Sequence, residues 1–154
     1  MTTSFDLHAF NQAIIDEFRS NGGRVGGSYP FSGRPMVVLH HRGARTGTER
    51  VTPLAYEPDG EGSMLIFGTM GGSPTDPAWC HNLRAHPRVD VEVGRQRVAV
   101  DAVELVGAER EAAWTIVRAA RPSVREYEQV TTRVFPLFRL VPVQEQPSGW
   151  DWTR

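Results

Sequence analysis

The feature that most constrains the fold is an arginine-rich turn between two strand-like segments. Residues 40–50 read HHRGARTGTER, with an apolar run at residues 36–39 before them and a second strand-like run at residues 51–56 after them. Two such segments around a glycine-containing turn predict an antiparallel hairpin. Gly43 and Gly47 can adopt positive φ without a steric penalty. We therefore expect a sheet that includes this hairpin.

The same turn concentrates groups that bind anions. Arg42, Arg45 and Arg50 place three guanidinium groups within nine residues, and Thr46 and Thr48 add hydroxyls. Planar guanidinium groups pair bidentately with phosphates and carboxylates. A solvated basic loop would have the same composition, because short motifs of glycine, arginine and threonine recur by chance. The turn by itself leaves both interpretations open.

Composition fits one domain and argues against several classes of function. The 154 residues are 40% hydrophobic, which suffices for a core. The net charge of −1, from 17 basic and 18 acidic residues, argues against a nucleic-acid partner. One cysteine excludes an intramolecular disulfide. Because no leader peptide or bilayer-spanning run is evident, we expect a cytoplasmic protein, with peripheral membrane contact left open.

Hydrophobic periodicity predicts alternating helices and strands along the chain. We expect helices over residues 4–20, 77–85, 108–120 and 123–133, and strands over residues 36–41, 51–56, 64–69, 89–93, 98–106 and 134–143. Asp76 is expected to cap the helix that Pro77 begins. Pro136 predicts that the last strand lies at a sheet edge. About six mostly antiparallel strands with flanking helices predict an α+β fold in which the sheet closes into a barrel. We expect one domain over residues 1–154, with the barrel at about 35–143 and a tail at 144–154.

No group of residues indicates a metal site or a covalent catalyst. His40 and His41 are consecutive in a strand and point to opposite faces, and no histidine or cysteine spacing resembles a zinc site. Cys80 and His81 are adjacent in a helix and do not face each other. Neither a nucleophile elbow nor a Rossmann glycine motif is present. An anion-binding turn with apolar walls is typical of an enzyme whose cofactor performs the chemistry.

Three sequence blocks occur in an order that a known family shares. They are GARTGTERVTPL at residues 43–54, FGTMGG at residues 67–72 and PAWCHNLRAHP at residues 77–87. They resemble the G-x-[RK]-[ST]-G-x-x-R-x-x-P-L, S-K-G-G and P-x-W-Y-x-N-L-x-A-x-P blocks of the deazaflavin-dependent nitroreductase family. The stretch at residues 10–27 also resembles family members. The ordered set is specific, although no single motif is, and the resemblance extends over residues 10–143.

The resemblance implies a split β-barrel of the FMN-binding type that uses coenzyme F420. The expected partner is a flat, electron-poor small molecule: a quinone, a nitroaromatic or an activated enone. The cofactor-binding residues implied by the resemblance are Arg45, Thr46, Arg50, Pro53, Leu54, Gly68, Thr69, Met70, Gly71, Trp79 and Asn82. The arginines would hold the phosphate and acidic tail, and backbone N–H groups of residues 68–72 would line the ring. Trp79 and Asn82 would brace that loop, and the Tyr127 hydroxyl would donate a hydrogen bond or a proton to the acceptor.

Departures from the family pattern leave alternatives open. Ala44 and Met70 replace basic residues of many members, and Cys80 replaces the usual tyrosine after the tryptophan. One alternative is an FMN-dependent split-barrel oxidoreductase, and another is a non-catalytic protein that binds F420. Trp79 also fits a core position, and Tyr127 also fits a packed ring with its hydroxyl in water. The sequence specifies neither the native acceptor nor the oligomeric state.

Overall fold

Four helices and seven strands make up the part of the chain that the computed structural model describes, residues 6–26, 35–60, 62–69 and 72–144. The helices are α1 (Leu7–Ser20), α2 (Ala78–Ala85), α3 (Gly107–Ala120) and α4 (Ser123–Val130). The strands are β1 (Met36–Arg42), β2 (Glu49–Ala55), β3 (Glu57–Pro58), β4 (Met64–Phe67), β5 (Arg88–Val93), β6 (Gln96–Glu104) and β7 (Leu137–Pro142). The predicted helices and strands are confirmed, with ends that differ by a few residues.

The strands form one antiparallel sheet in the order β2-β1-β5-β6-β7-β4-β3. The strands at the two ends of this order, β2 and β3, are separated in the chain only by Tyr56. The chain therefore joins one edge of the sheet to the other, and the sheet curls into a half-barrel. This confirms the predicted α+β fold of the split-barrel type. The described strands number seven rather than about six because β3 has only two residues, too few to leave a pattern in the sequence.

Three apolar clusters of described residues hold the helices against the sheet. Trp79 and Leu83 of α2 fill the interior of the half-barrel with side chains of β1 and β4–β7. Helices α3 and α4 pack outside the sheet around Trp114, and α1 packs on β1 through Ile14 and Phe18. Each large apolar side chain buried in this way stabilises the fold by about 1.5–3 kcal/mol. Within the described ranges, no helix is both long enough and apolar enough to cross a bilayer.

The position of the last strand differs from the prediction. β7 lies between β6 and β4, in the interior of the sheet rather than at an edge. Pro136 precedes the strand, and its carbonyl accepts a hydrogen bond from the Gly68 N–H at 2.9 Å. The proline therefore removes no N–H from the strand ladder, so the reason to expect an edge does not apply. Pro53, in contrast, lies within β2, which is an edge strand.

Two predicted helix ends are wrong. Helix α2 begins after Pro77 without a side-chain cap, so Asp76 does not cap it. The Asp76 carboxylate instead accepts a hydrogen bond of 2.6 Å from Arg133 Nη1. Helix α4 ends at Val130, and Arg133 lies in the segment that follows rather than in the helix. In both places a contact between residues distant in sequence overrides a local preference.

Candidate functional site

Internal hydrogen bonds define the shape of the β1–β2 turn, residues 43–48. The Gly43 N–H donates to Thr48 O at 2.9 Å, and the Gly47 N–H donates to Gly43 O at 2.8 Å. The Thr48 N–H donates to Thr46 Oγ1 at 3.2 Å. Gly47 has a φ of +69°, which glycine adopts without strain. The N–H groups of Arg45 and Thr46 donate to no group in the described part of the chain.

The turn and its flanking strand ends carry three guanidinium groups that have no partner in the part of the chain that the structure describes. Arg42, Arg45 and Arg50 are exposed and make no hydrogen bond or ion pair with any described residue. Most other described arginines are paired, as Arg84 is with Glu104 at 2.7 Å. The turn therefore presents positive charge that the described chain does not neutralise.

A chain of hydrogen bonds ties this turn to α2. The Ala44 N–H donates to Asn82 Oδ1 at 2.9 Å. Asn82 Nδ2 donates to His41 Nδ1 at 2.9 Å, and His41 Nε2 donates to Thr52 Oγ1 at 2.9 Å. A backbone N–H can only donate, so it sets the orientation of the Asn82 amide and, through it, the tautomer of His41. His41 is neutral and carries its proton on Nε2.

The surroundings of His41 keep it neutral. Its side chain is 2% exposed. Burial first, and then the electrostatic effects of Arg50 and His40, lower its pKa to about 4. Each of these effects penalises the protonated ring. A proton on Nδ1 would also face Asn82 Nδ2, which cannot accept it. His41 therefore serves as a fixed hydrogen-bonding bridge between α2 and β2 at neutral pH.

His40 belongs to a separate network on the opposite face of β1. Its Nδ1 lies 2.9 Å from Glu49 Oε1, and its Nε2 lies 2.7 Å from Glu92 Oε2. Arg19 donates to both oxygens of the same Glu92 carboxylate. The hydrogen bond with His40 lowers the pKa of Glu49. The two histidines thus face apart, as predicted, and the described ranges contain no group of side chains that could hold a metal ion.

The segment between β4 and α2, described at residues 68–69 and 72–77, forms the second part of the candidate site. The Gly68 N–H donates to a carbonyl just before β7 at 2.9 Å, and the Gly72 N–H donates to Thr69 O at 2.8 Å. These two N–H groups are already used within the chain, contrary to the expectation that they line a ligand. Met70 and Gly71 lie outside the described residues.

Close packing requires glycine at residue 68. A Cβ there would stand 2.7 Å from Cys80 Sγ and 3.2 Å from Pro77 Cδ. Cys80 is fully buried, and burial raises the pKa of its thiol to about 12. A thiol that stays protonated is a poor nucleophile. Cys80 is therefore a packing residue beneath the segment after β4.

Arg133 also belongs to this region, and no pattern in the sequence predicted it. Its guanidinium donates to the carbonyls of Gly68, Thr69 and Ser73 at 2.9, 3.0 and 2.8 Å, and to Asp76 Oδ1 at 2.6 Å. These acceptors are 57 to 65 residues away in the chain. No local spacing could have indicated the contact. The one available signal is an arginine in an otherwise uncharged segment, and that signal is weak.

The strand register divides the predicted residues of β2 between two faces. Arg50 is directly opposite His41, and Leu54 packs against the interior cluster of the half-barrel. Pro53 is opposite Val38, which belongs to the cluster beneath α1. Because side chains alternate along a strand, Arg50 and Leu54 share the inner face and Pro53 lies on the outer one.

The other predicted residues occupy positions around α2 and α4. Trp79 is 5% exposed, and its ring centre lies 5.9 Å from that of Phe138, so it is a core residue. Asn82 braces the arginine turn rather than the segment after β4, which corrects the predicted contact. Tyr127 is partly buried against the α3–α4 cluster. Its carbonyl oxygen stands 3.2 Å from the Cβ position of Gly72, so α4 packs directly on this segment.

Helix α2 links the two parts of the candidate site. It begins directly after the segment that follows β4, and Asn82 in its second turn contacts the arginine turn. A helix of eight residues is about 12 Å long. The arginine turn and the segment after β4 are therefore close enough to contact one extended cofactor.

A curled antiparallel half-barrel of this topology defines a split β-barrel, and the arginine turn beside its edge strand, unpaired among the described residues, is its candidate site for an anionic group. The protein belongs to the F420H(2)-dependent quinone reductase family, because the family model with that description matches residues 12–142.

Individual relatives agree with this assignment. An F420H(2)-dependent quinone reductase of Mycobacterium tuberculosis is 35% identical over 123 residues, which are 78% of this chain and 81% of that protein. A solved F420-H2 dependent reductase, FDR-A, has a TM-score of 0.63 and 34% identity, and the match covers 70% of this chain and 94% of that chain. A structure described as a domain-swapped dimer has a TM-score of 0.65 and 30% identity, covering 86% and 96% of the two chains.

Proposed function

We propose that this protein transfers a hydride from reduced coenzyme F420 to a small electron-poor acceptor, with a quinone as the first candidate. Family membership supports the coenzyme and the acceptor class. The observation that carries the site assignment is the pair Arg45 and Arg50, exposed and unpaired within the described chain. The bound deazaflavin supplies the hydride, so the protein needs no nucleophile of its own.

The arginine turn fits the phosphate and carboxylates of the coenzyme tail. Arg45 and Arg50 would pair with these anions, and the N–H groups of Arg45 and Thr46 would add two donors. Because Asn82 already fixes the turn through Ala44, little ordering would be needed on binding. Arg42 lies opposite Glu49 on the outer face of the hairpin, so we do not assign it as a substitute for the basic residue that Ala44 replaces.

We assign the ring of the coenzyme to the surface between β2 and the segment after β4. Leu54 on the inner face of β2 supports this assignment, as do Gly68 and Thr69, which Arg133 holds in place. Pro53 remains a predicted contact of the ring, and its side chain lies on the outer face of β2. Such walls would hold the ring face toward the acceptor and exclude water. Met70 and Gly71 remain predicted contacts of the ring, and Trp79 would support the segment after β4 from the core.

Tyr127 is the residue that we assign to the acceptor side. It lies on α4, which packs on Gly72, and its hydroxyl makes no hydrogen bond with any described residue. It is therefore available to donate a hydrogen bond to a quinone oxygen. Tyr127→Phe should lower kcat/KM for menadione while leaving the coenzyme Kd unchanged. An unchanged kcat/KM would remove Tyr127 from the site.

A binding titration with matched arginine variants tests the proposed site. Arg50→Ala removes one charge-assisted contact, which should raise the Kd of oxidised F420 about tenfold or more. Its Tm should change little, because Arg50 is exposed and unpaired in the described chain. Arg95→Ala is the control: Arg95 is also exposed, but the β5–β6 turn lies at the opposite end of the strands. Equal affinities of the two variants would refute the assignment.

Parallel titrations and turnover assays separate the alternatives. FMN in place of F420 tests the flavin alternative, and F420 binding without turnover would indicate a non-catalytic binding protein. Nitroaromatic and enone acceptors, tested beside menadione, would define the acceptor range. A cytoplasmic location, with or without peripheral membrane contact, and a single domain over residues 1–154 remain part of this proposal.

A further inference from the structure

We propose that Arg133 is a positioning residue for the coenzyme. In this proposal its guanidinium holds residues 68–69 and 72–76 against α4 and so sets the surface on which the ring lies. The proposal rests on the proposed function, because it takes Gly68 and Thr69 as contacts of the coenzyme. Arg133 would act through this segment and would not touch the ring itself.

Every nitrogen of the Arg133 guanidinium donates to this segment. Nε donates to Ser73 O at 2.8 Å, Nη2 donates to Thr69 O at 3.0 Å, and Nη1 donates to Gly68 O at 2.9 Å and to Asp76 Oδ1 at 2.6 Å. The side chain is 11% exposed. A planar fork can satisfy acceptors on both sides of the segment at once, whereas a lysine has a single nitrogen. The contact is therefore specific for arginine.

A second contact places the same segment against α4. Gly72 has a φ of +83°, and a Cβ there would stand 2.3 Å from Val130 Cγ2 and 3.2 Å from Tyr127 O. Arg133 follows α4 in the chain, and its Cζ lies 4.7 Å from the centre of the Phe135 ring. Arg133 thus ties the segment proposed for the ring to the chain just after α4, the helix that carries Tyr127.

The charge of Arg133 is neutralised within the chain. Asp76 accepts its hydrogen bond and also lies 3.6 Å from Arg84. Arg133 therefore differs from Arg50, which has no carboxylate partner among the described residues. Loss of Arg50 should weaken the salt dependence of coenzyme binding, because it removes an exposed charge that salt screens. Loss of Arg133 should weaken binding without changing that salt dependence.

The test compares Arg133→Lys with Arg118→Lys in the full chain. Arg118 is a matched control because it also makes a bidentate ion pair, with Glu128 at 2.7 and 3.0 Å, and lies over an aromatic ring. Hydrogen exchange of the free protein would report on residues 66–79. Fluorescence titration with oxidised F420 at several salt concentrations would give the Kd and its salt dependence.

We expect Arg133→Lys to speed exchange in residues 66–79 and to raise the Kd by about tenfold to a hundredfold, because a small displacement of a positioning surface is costly. The salt dependence should match that of the wild type, and Arg118→Lys should change neither measurement. Asp76→Asn is a milder second variant that keeps an oxygen for Arg133 Nη1, and it should raise the Kd by a smaller factor.

The experiment distinguishes failure of the proposed function from failure of the positioning role of Arg133. If the wild type does not bind oxidised F420, the proposed function is refuted, and the proposal for Arg133 falls with it. If the wild type binds and both Arg133→Lys and Asp76→Asn bind equally well, only the positioning role is refuted. A rise in the Kd of Arg118→Lys as large as that of Arg133→Lys would also refute the positioning role, since the effect would then be general.

Discussion

Acidification should break the hydrogen-bond bridge between α2 and β2 by protonating His41. The pKa of His41 is about 4 in the folded protein, against an ordinary value of 6.5. Between these pH values the unfolded chain binds a proton that the folded chain does not. The free energy of unfolding therefore falls as the pH drops from 6.5 to 4, and His41 causes no further loss below pH 4.

The size of this loss follows from the difference between the two pKa values. One pKa unit corresponds to about 1.4 kcal/mol, so the full contribution of His41 is about 3 kcal/mol. About 2 kcal/mol of it should be lost by pH 5, where most of the unfolded chain is protonated at this position. That is a large fraction of the total stability of a small domain, which is about 5–15 kcal/mol.

Urea unfolding at intervals from pH 7.5 to pH 4.5 measures this contribution when the wild type is compared with His41→Asn. The asparagine keeps an oxygen for Asn82 Nδ2 but does not titrate. The variant should be less stable than the wild type at pH 7.5, because the bond to Thr52 is lost, and its stability should depend less on pH. His81→Asn, at an exposed position, is the control for loss of a histidine in general. Parallel pH curves for the wild type and His41→Asn would refute the reasoning.

Asn82→Asp provides the reverse perturbation. A carboxylate in place of the amide would accept a hydrogen bond from a protonated His41 Nδ1, and its negative charge would favour the imidazolium. The titration midpoint of His41, followed by NMR of its ring nitrogens, should therefore rise by more than one pH unit. In the wild type the same spectra should show the proton on Nε2. A neutral ring with its proton on Nδ1 would contradict the assigned hydrogen-bond directions.

Three further predictions concern the packing of the segment after β4. Gly68→Ala should lower the free energy of unfolding by about 1–3 kcal/mol through its clash with Cys80 Sγ. The same substitution should cost less in a Cys80→Ala background. Equal costs in the two backgrounds would contradict the contact. Burial raises the pKa of the Cys80 thiol to about 12. Cys80 should therefore react with iodoacetamide at pH 8 only as fast as the protein unfolds locally around it. Rapid reaction of the folded protein would argue against the burial of Cys80. Gly72→Ala should destabilise the fold by about 1–2 kcal/mol through the strain of its φ of +83°, plus the clash with Val130 Cγ2. Val130→Ala should recover only the part due to the clash, and full recovery in urea unfolding would contradict the strain.

The sequence predicted those features that depend on neighbouring residues. The hairpin around residues 43–48 follows from two strand-like runs and two glycines. The end of α1 follows from Asn21, Gly22 and Gly23, and both glycines have positive φ in the structure. The hairpin of β5 and β6 follows from the alternation of residues 89–93. In each case the determining residues lie within one turn or one strand, so a local pattern is sufficient.

The sequence could not predict features that depend on partners distant in the chain. Asp76 has the type and position of a helix cap, but Arg133 takes its carboxylate. Asn82 is close in sequence to the segment after β4. It nevertheless accepts a hydrogen bond from the Ala44 N–H, because the fold brings β1 beside α2. The interior position of β7 depends on which strands pair with it. These contacts are set by the curled sheet, which no single stretch of sequence encodes.

The positive charge at the arginine turn also depends on such long-range pairing. The chain as a whole is nearly neutral, with a net charge of −1, so composition gives no sign of an anion site. The charge persists at the turn because Glu49, the acid next to Arg50 in sequence, faces the other side of the hairpin and hydrogen-bonds with His40. Asp76 likewise forms an ion pair with Arg133. Arg45 and Arg50 are left without a carboxylate among the described residues, and an anionic coenzyme would meet two guanidinium groups that no described side chain competes for.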